Sequence, residues 1–151
     1  MTLLARADEP LTEQLLALFP QAQITIATPD ARQHRLRTWL ATTEAHRSQG
    51  LMFVRELPPD AGMLFVYPKP RIVSMWMKNT FIPLDMVFIR ADGRVAEVVT
   101  DTMPHSLETI ASREAVLAVL ELNAGTARRL RIGPGAIVDP TLLQRAMRAA
   151  K

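Results

Sequence analysis

GMLFVYPKPRIVSMWMKNTFIPLDMVFIRADGRVAEVV, residues 62–99, decides the fold. Four short apolar segments stand in it: GMLFVY (62–67), IVSMWM (72–77), LDMVFI (84–89) and RVAEVV (94–99). The Pro- or Gly-containing breaks PKPR, NTFIP and ADGR separate them, and LPPDAG (57–62) leads into the first. Short apolar runs bounded by such breaks are strands. ADGR is a hairpin signal, because Asp-Gly tolerates the positive φ angles of a tight turn.

Working outward, RLRTWLA (35–41) alternates, with Leu36, Thr38 and Leu40 on one side and Arg35, Arg37 and Trp39 on the other. That is strand periodicity. Thr42 and Thr43 offer N-caps to a short helix EAHRSQ, and Gly50 suits its C-terminal stop. QITIA (23–27) reads as a short edge strand. AVLAVLEL (115–122), β-branched at Val116 and Val119, is assigned to a strand, although its pattern fits a helix equally. AGTARRL reads as a short helix and IGPGAIVD as a turn into a last strand. At the C-terminus, TLLQRAMRAA puts Leu142, Leu143, Ala146 and Met147 on one helical face. Near the N-terminus, Leu11, Leu15, Leu16, Leu18 and Phe19 fit one face of a helix around Thr12 that Pro20 ends.

Seven or eight strands at spacings of about ten residues predict a mainly β domain. It is expected to be an antiparallel β-sandwich of jelly-roll character or a partly closed barrel, with short peripheral helices. No strand–helix alternation supports a doubly wound sheet. Residues 1–30 are read as an N-terminal helical extension, 31–140 as the β domain, and 141–151 as an amphipathic helix packed on it.

Composition narrows the functional classes. With 151 residues and 48% apolar content the chain can build a core. It has no cysteine, which excludes disulfides, thiol nucleophiles and thiolate metal sites. Eighteen basic and fifteen acidic residues leave a net charge of +3. The clusters Arg32/Arg35/Arg37, Arg128/Arg129/Arg131 and Arg145/Arg148/Lys151 read as solvated surface. Nucleic acid is not expected as a partner, since no recognition motif accompanies them and aromatics are only 5%. No apolar run is long enough to span a bilayer. Asp8, Glu9 and Glu13 interrupt the apolar stretch that an export signal would need after Arg6, so a cytoplasmic location is expected. His34, His46 and His105 are scattered, and neither a metal nor a cofactor is expected.

No Gly-rich nucleotide loop, GxSxG or HExxH motif is present, so the reading leans away from an enzyme. The informative segment is SMWMKNTFIPLDMVFI (74–89). It sets Trp76, Lys78, Asn79 and Asp85 among apolar residues. Residues 84–89 are otherwise apolar on both faces, so Asp85 starts a strand covered on both sides. A buried carboxylate costs several kcal/mol without donors. In one reading Asp85 accepts hydrogen bonds from Asn79, Thr80 or backbone and pins the NTFIP loop. In the other it forms with Lys78 a polar pair on a pocket floor. Alternation puts Trp76 and Lys78 on one face, where both can meet a cavity. Met52, Met63, Met75, Met77 and Met86 are expected as soft core filler.

The first functional expectation is a binding domain for a small polar ligand, sugar- or carboxylate-like. Its pocket would be lined by Trp76, Lys78, Asn79 and Asp85, with Arg55 and Glu56 nearby and His105 and Glu108 on the rim. A rival is a hydrolase or lyase with Asp85 as base, Lys78 as stabiliser and His105 as acid. The third is a protein-interaction module using an edge strand or the C-terminal helix.

GLMFVRELPPDAGMLFVY, MWMKNTFIPLDMVFI, DGRV and VLELNAGTARRLRI, in that order, resemble the domain-of-unknown-function 192 family over about residues 35–139. The positions carried over are Gly50, Leu51, Met52, Arg55, Glu56, Gly62, Met63, Trp76, Met77, Lys78, Asn79, Thr80, Pro83, Leu84, Asp85, Glu121 and Gly125. The resemblance implies a compact, mainly β fold found in bacteria and archaea, with no established reaction. Relatives often carry cysteines where this chain has Met103, Pro104 and His105, so no thiol role transfers. Many relatives also look exported, which the acidic start of this chain does not match.

Overall fold

The structure, a computed structural model, describes residues 11–151. A helical segment over 11–16 (α1) precedes β1 (Gln21–Ala27), β2 (Gln33–Ala41), α2 (Glu44–Gln49), β3 (Ala61–Arg71) and β4 (Ser74–Met75). Then follow β5 (Leu84–Ile89), β6 (Val95–Val99), β7 (Ile110–Ala111), β8 (Val116–Asn123), α3 (Thr126–Leu130), β9 (Ile137–Val138) and α4 (Pro140–Ala149). Seven strands form one sheet in the order β6-β5-β8-β3-β2-β1-β9, and β4 pairs with β7 separately.

The two ends of the large sheet meet. Arg94 bridges Ile137, the Val95 amide donates to the Ala136 carbonyl at 3.0 Å, and the Val138 amide donates to the Gly93 carbonyl at 2.8 Å. The sheet is therefore a nearly closed barrel, which removes most of its exposed edge. The ADGR hairpin supplies the contact. Gly93 has φ +89°, and a Cβ there would lie 2.4 Å from the Val138 carbonyl oxygen. Gly93→Ala is expected to cost about 2 kcal/mol, from backbone strain and the lost closure. Urea unfolding measures it, and a loss below about 0.5 kcal/mol would mean the seam carries no stability.

Each face of the sheet is covered by a different part of the chain. Inside the barrel, Ile24, Ile26, Leu36, Leu64, Val66, Val87, Ile89, Leu120, Leu122 and Val138 pack with Ala127 of α3 and with Leu142, Leu143 and Ala146 of α4. On the outer face, Trp39, Met63, Phe65, Leu84, Met86, Phe88 and Val119 pack under Leu16 and Phe19, the 51–57 loop, Val73 and Met77. This double cover explains why LDMVFI is buried at all six positions.

Several expectations need correction. β2 and β3 run parallel, so the sheet is mixed rather than wholly antiparallel. Residues 42–60, carrying α2, make the crossover that parallel neighbours require. Of the two expected architectures the topology is the partly closed barrel, its ends joined at Arg94–Ile137, and not the jelly roll. β1 is no edge strand, because it pairs with both β2 and β9. The division at residue 30 therefore falls inside the barrel, and residues 1–10 of the proposed extension lie outside the described residues. PKPR does not end β3, which continues to Arg71 through a register shift between Val66 and Arg71. IVSMWM contributes only the two-residue β4, since the rest of it serves loop anchoring. The N-terminal helix stops at residue 16, short of Pro20, and leaves Leu11 and Leu18 exposed. Thr43 acts as expected, its hydroxyl oxygen capping α2 by accepting from the His46 amide at 3.1 Å.

Candidate functional site

The segment between β4 and β5 is a tethered turn. The Thr80 amide donates to the Met77 carbonyl at 3.1 Å, and the Thr80 hydroxyl donates to the Lys78 carbonyl at 3.1 Å. Asn79 takes φ +52°, a left-handed conformation that asparagine tolerates better than most residues. Its carbonyl accepts from the Phe53 amide at 2.8 Å, and the Thr80 carbonyl accepts from His105 at 3.1 Å. The Met77 amide donates to Ser106 at 3.0 Å. Met77 itself is buried, with the Thr102 hydroxyl 3.2 Å from its sulfur. Anchoring Met77 inward turns its neighbours Trp76 and Lys78 outward.

These two side chains share a cleft of about 590 Å³ on the outer face of the barrel. Trp76 is 48% exposed, and the Lys78 ammonium lies 5.0 Å from its ring centroid, a cation–π distance. α2 brings Glu44 and Arg47 to the cleft, and β3 brings Phe65, Tyr67, Lys69 and Arg71. Lys151, after α4, completes five cationic side chains. Arg47 is fixed by donating to the carbonyls of Thr42 at 2.8 Å, Val66 at 3.0 Å and Lys151 at 2.7 Å. Arg47 and Arg71 lie over the Tyr67 ring at 5.0 and 5.5 Å. Burial raises the Tyr67 phenol above its ordinary value, against the pull of both arginines.

Glu121 also lines this cleft and is only 4% exposed. On β8 it stands between Met63 of β3 and Met86 of β5. Among the described residues no hydrogen bond or ion pair reaches its carboxyl. Burial alone pushes its pKa up to about 8, so it is largely a neutral acid at pH 7. The cleft thus has a cationic, aromatic mouth and an acid without a partner at its floor.

The structure does not bring all the expected site residues here. Asp85 is fully buried on the other face of β5, at the end of the barrel interior. Its two oxygens accept from the backbone amides of Asp101 at 3.0 Å and Ala127 at 2.9 Å. It joins the 101 loop and the start of α3 to β5, rather than the NTFIP loop. Asn79 supplies turn geometry and a backbone acceptor and does not line the cleft. Arg55 stacks on Phe81 at 5.0 Å, and Glu56 lines a separate depression beside Trp39 and Thr12. His105 packs on Phe81 at 5.3 Å, and neither it nor Glu108 lines the cleft. Asp85, Lys78 and His105 therefore do not converge, and the base–stabiliser–acid arrangement has no geometric footing. Among the described residues no group of three or more His, Asp or Glu side chains gathers to hold a metal, and no helix is long and apolar enough to cross a membrane.

Glu121 is among the positions carried over from the family resemblance, but sequence reasoning gives it no place in the site. Its signal was available: a lone acid in the otherwise apolar run VLAVLEL. Strand pairing was needed to aim it at Trp76 and Lys78, 45 and 43 positions away.

Fold and site together define a nearly closed mixed β-barrel with a concave, charged cleft on its outer face. The chain belongs to the domain-of-unknown-function 192 family, described as Uncharacterized ACR, whose model matches residues 25–140. Crystal structures that resemble it include the following two. A Sinorhizobium meliloti protein, described as a candidate transcription regulator, is 45% identical with a TM-score of 0.79, over 80% of this chain and 94% of that one. A protein of unknown function from Novosphingobium aromaticivorans is 37% identical with a TM-score of 0.76, over 79% of this chain and 84% of that one. No curated protein matches the chain.

Proposed function

We propose that the protein is a non-catalytic binding domain for a small organic anion, a carboxylate or sugar acid, taken up in the Trp76–Lys78 cleft. The observation that carries this reading is the lining: five cationic side chains around Trp76 and Tyr67, against the acids Glu44 and Glu121. An indole face packs against an apolar or sugar-like body, and lysine and arginine orient an anionic group. Buried Asp85, held by two backbone amides, gives the hydrolase reading no support. The interaction-module reading loses its two surfaces, because the sheet ends meet and the apolar face of α4 fills the barrel.

The test uses the indole N–H resonances of Trp76 and Trp39, one exposed and the other 5% exposed. Titration with glucuronate is expected to shift the Trp76 signal and leave Trp39 in place, whereas glucose moves neither. Lys78→Ala is expected to weaken glucuronate binding by about tenfold, the scale of one charge-assisted hydrogen bond. A Trp76 signal that no carboxylate moves would remove the proposal. Equal responses to glucose and glucuronate would replace the anion by a neutral sugar.

A further inference from the structure

An unpartnered acid on an apolar strand face is a costly residue to keep. At that position of β8 a leucine or valine would extend the outer core formed by Met63, Phe65 and Met86. A buried polar group without a partner costs about 1–3 kcal/mol. The Glu121 carboxyl does open into the cleft, so an occupant can supply the partner that the fold does not.

The cations do not supply it. Arg47 donates to three carbonyl oxygens, and Lys78 sits over Trp76. Lys69, Arg71 and Lys78 are exposed, whereas Glu121 is buried. Among the described residues none of the five forms an ion pair or hydrogen bond with the Glu121 carboxyl. Positive charge therefore predominates at the mouth, five cations against the exposed Glu44, and the buried acid Glu121 stands apart from them at the floor.

We propose that the cleft takes a small zwitterion, with its ammonium group on the Glu121 carboxylate and its carboxylate among the cations of the mouth. This deepens the anion-binding reading and rests on it. A simple cation would be repelled at the mouth. A simple monoanion held at the mouth would leave Glu121 as it is. A zwitterion satisfies both ends with charge-assisted hydrogen bonds, which are roughly twice as strong as neutral ones. At neutral pH the Glu121 proton passes to solvent as the ammonium docks, so binding releases a proton.

The test is calorimetry on the full chain at pH 7, in two buffers of different ionisation enthalpy. The probes are 4-aminobutyrate and 6-aminohexanoate, each beside the alkanoate and the alkylamine of the same length. One zwitterion is expected to bind about tenfold more tightly than its alkanoate and its amine, with release of close to one proton. In Glu121→Gln that preference and the proton release are both expected to vanish while alkanoate binding persists. Should Glu121→Gln not fold, the probe series on the natural chain still decides. Alkanoates binding as tightly as the zwitterions would overturn the zwitterion and leave the anion reading standing. Amines binding best, or no probe binding while glucuronate also fails, would overturn both. Zwitterion binding without proton release would also overturn the proposal, because Glu121 would then not be the partner.

Discussion

Asp85→Ala is expected to lower the stability of the protein by about 3 kcal/mol. Asp85 is fully buried, and the substitution strands two amide donors, those of Asp101 and Ala127. A buried donor left without an acceptor costs about 1–3 kcal/mol, which applies in full to the Ala127 amide and in part to the Asp101 amide, whose bond is part-buried. For a domain of this size that lowers the melting temperature by about 6–12 °C. Asp85→Asn keeps one acceptor but turns an NH2 group toward the second amide, so it should recover only part of the loss. Thermal and urea melts of the three proteins measure this. Because Asp85 lies on the opposite face of β5 from the cleft, Asp85→Asn should leave glucuronate affinity unchanged. A stability loss below about 0.5 kcal/mol, or a specific loss of affinity, would return Asp85 to the binding site.

Glu121→Gln is expected to act oppositely, and only where the acid would be charged. In the folded protein its pKa is about 8, against 4.5 for the ordinary group. Between those values the folded state holds a proton that the unfolded chain has released. The stability this proton provides is therefore complete below about pH 4.5, falls as pH rises toward 8, and is gone above it. The full span corresponds to at most ~5 kcal/mol. Urea unfolding from pH 5 to 9 should show this decline in the natural protein and a markedly flatter profile in Glu121→Gln. The variant should be the more stable of the two above pH 8. Parallel profiles would mean that the carboxyl is solvated and that the floor of the cleft is wet.

The strands were legible because burial on both faces and turn chemistry leave local marks. LDMVFI, ADGR and the Thr43 cap each carry their structure in a few residues. Strand direction carries no such mark, so the parallel β2–β3 pair emerged only from the tertiary fold. The closure at Gly93 depends on a second segment 45 residues away and was equally invisible. In the site, Trp76 and Lys78 do share one side, but through the turn that anchors Met77 rather than through the strand alternation expected of them. Alternation could not say that Asp85 belonged to the other face, because the turn at 77–80 breaks the strand and resets the alternation. Glu121 carried no role in the sequence, and only its pairing with Met63 and Met86 fixes the face it occupies.

The cleft with a buried, unpartnered acid at its floor is what the functional reading stands on. The side-chain carboxyl carbon of Glu121, followed by NMR from pH 4 to 10 in the ligand-free protein, reports on it directly. The account predicts a midpoint near 8. A midpoint near the ordinary 4.5 would show a carboxylate already charged and hydrated, and the floor would have no partner left to seek.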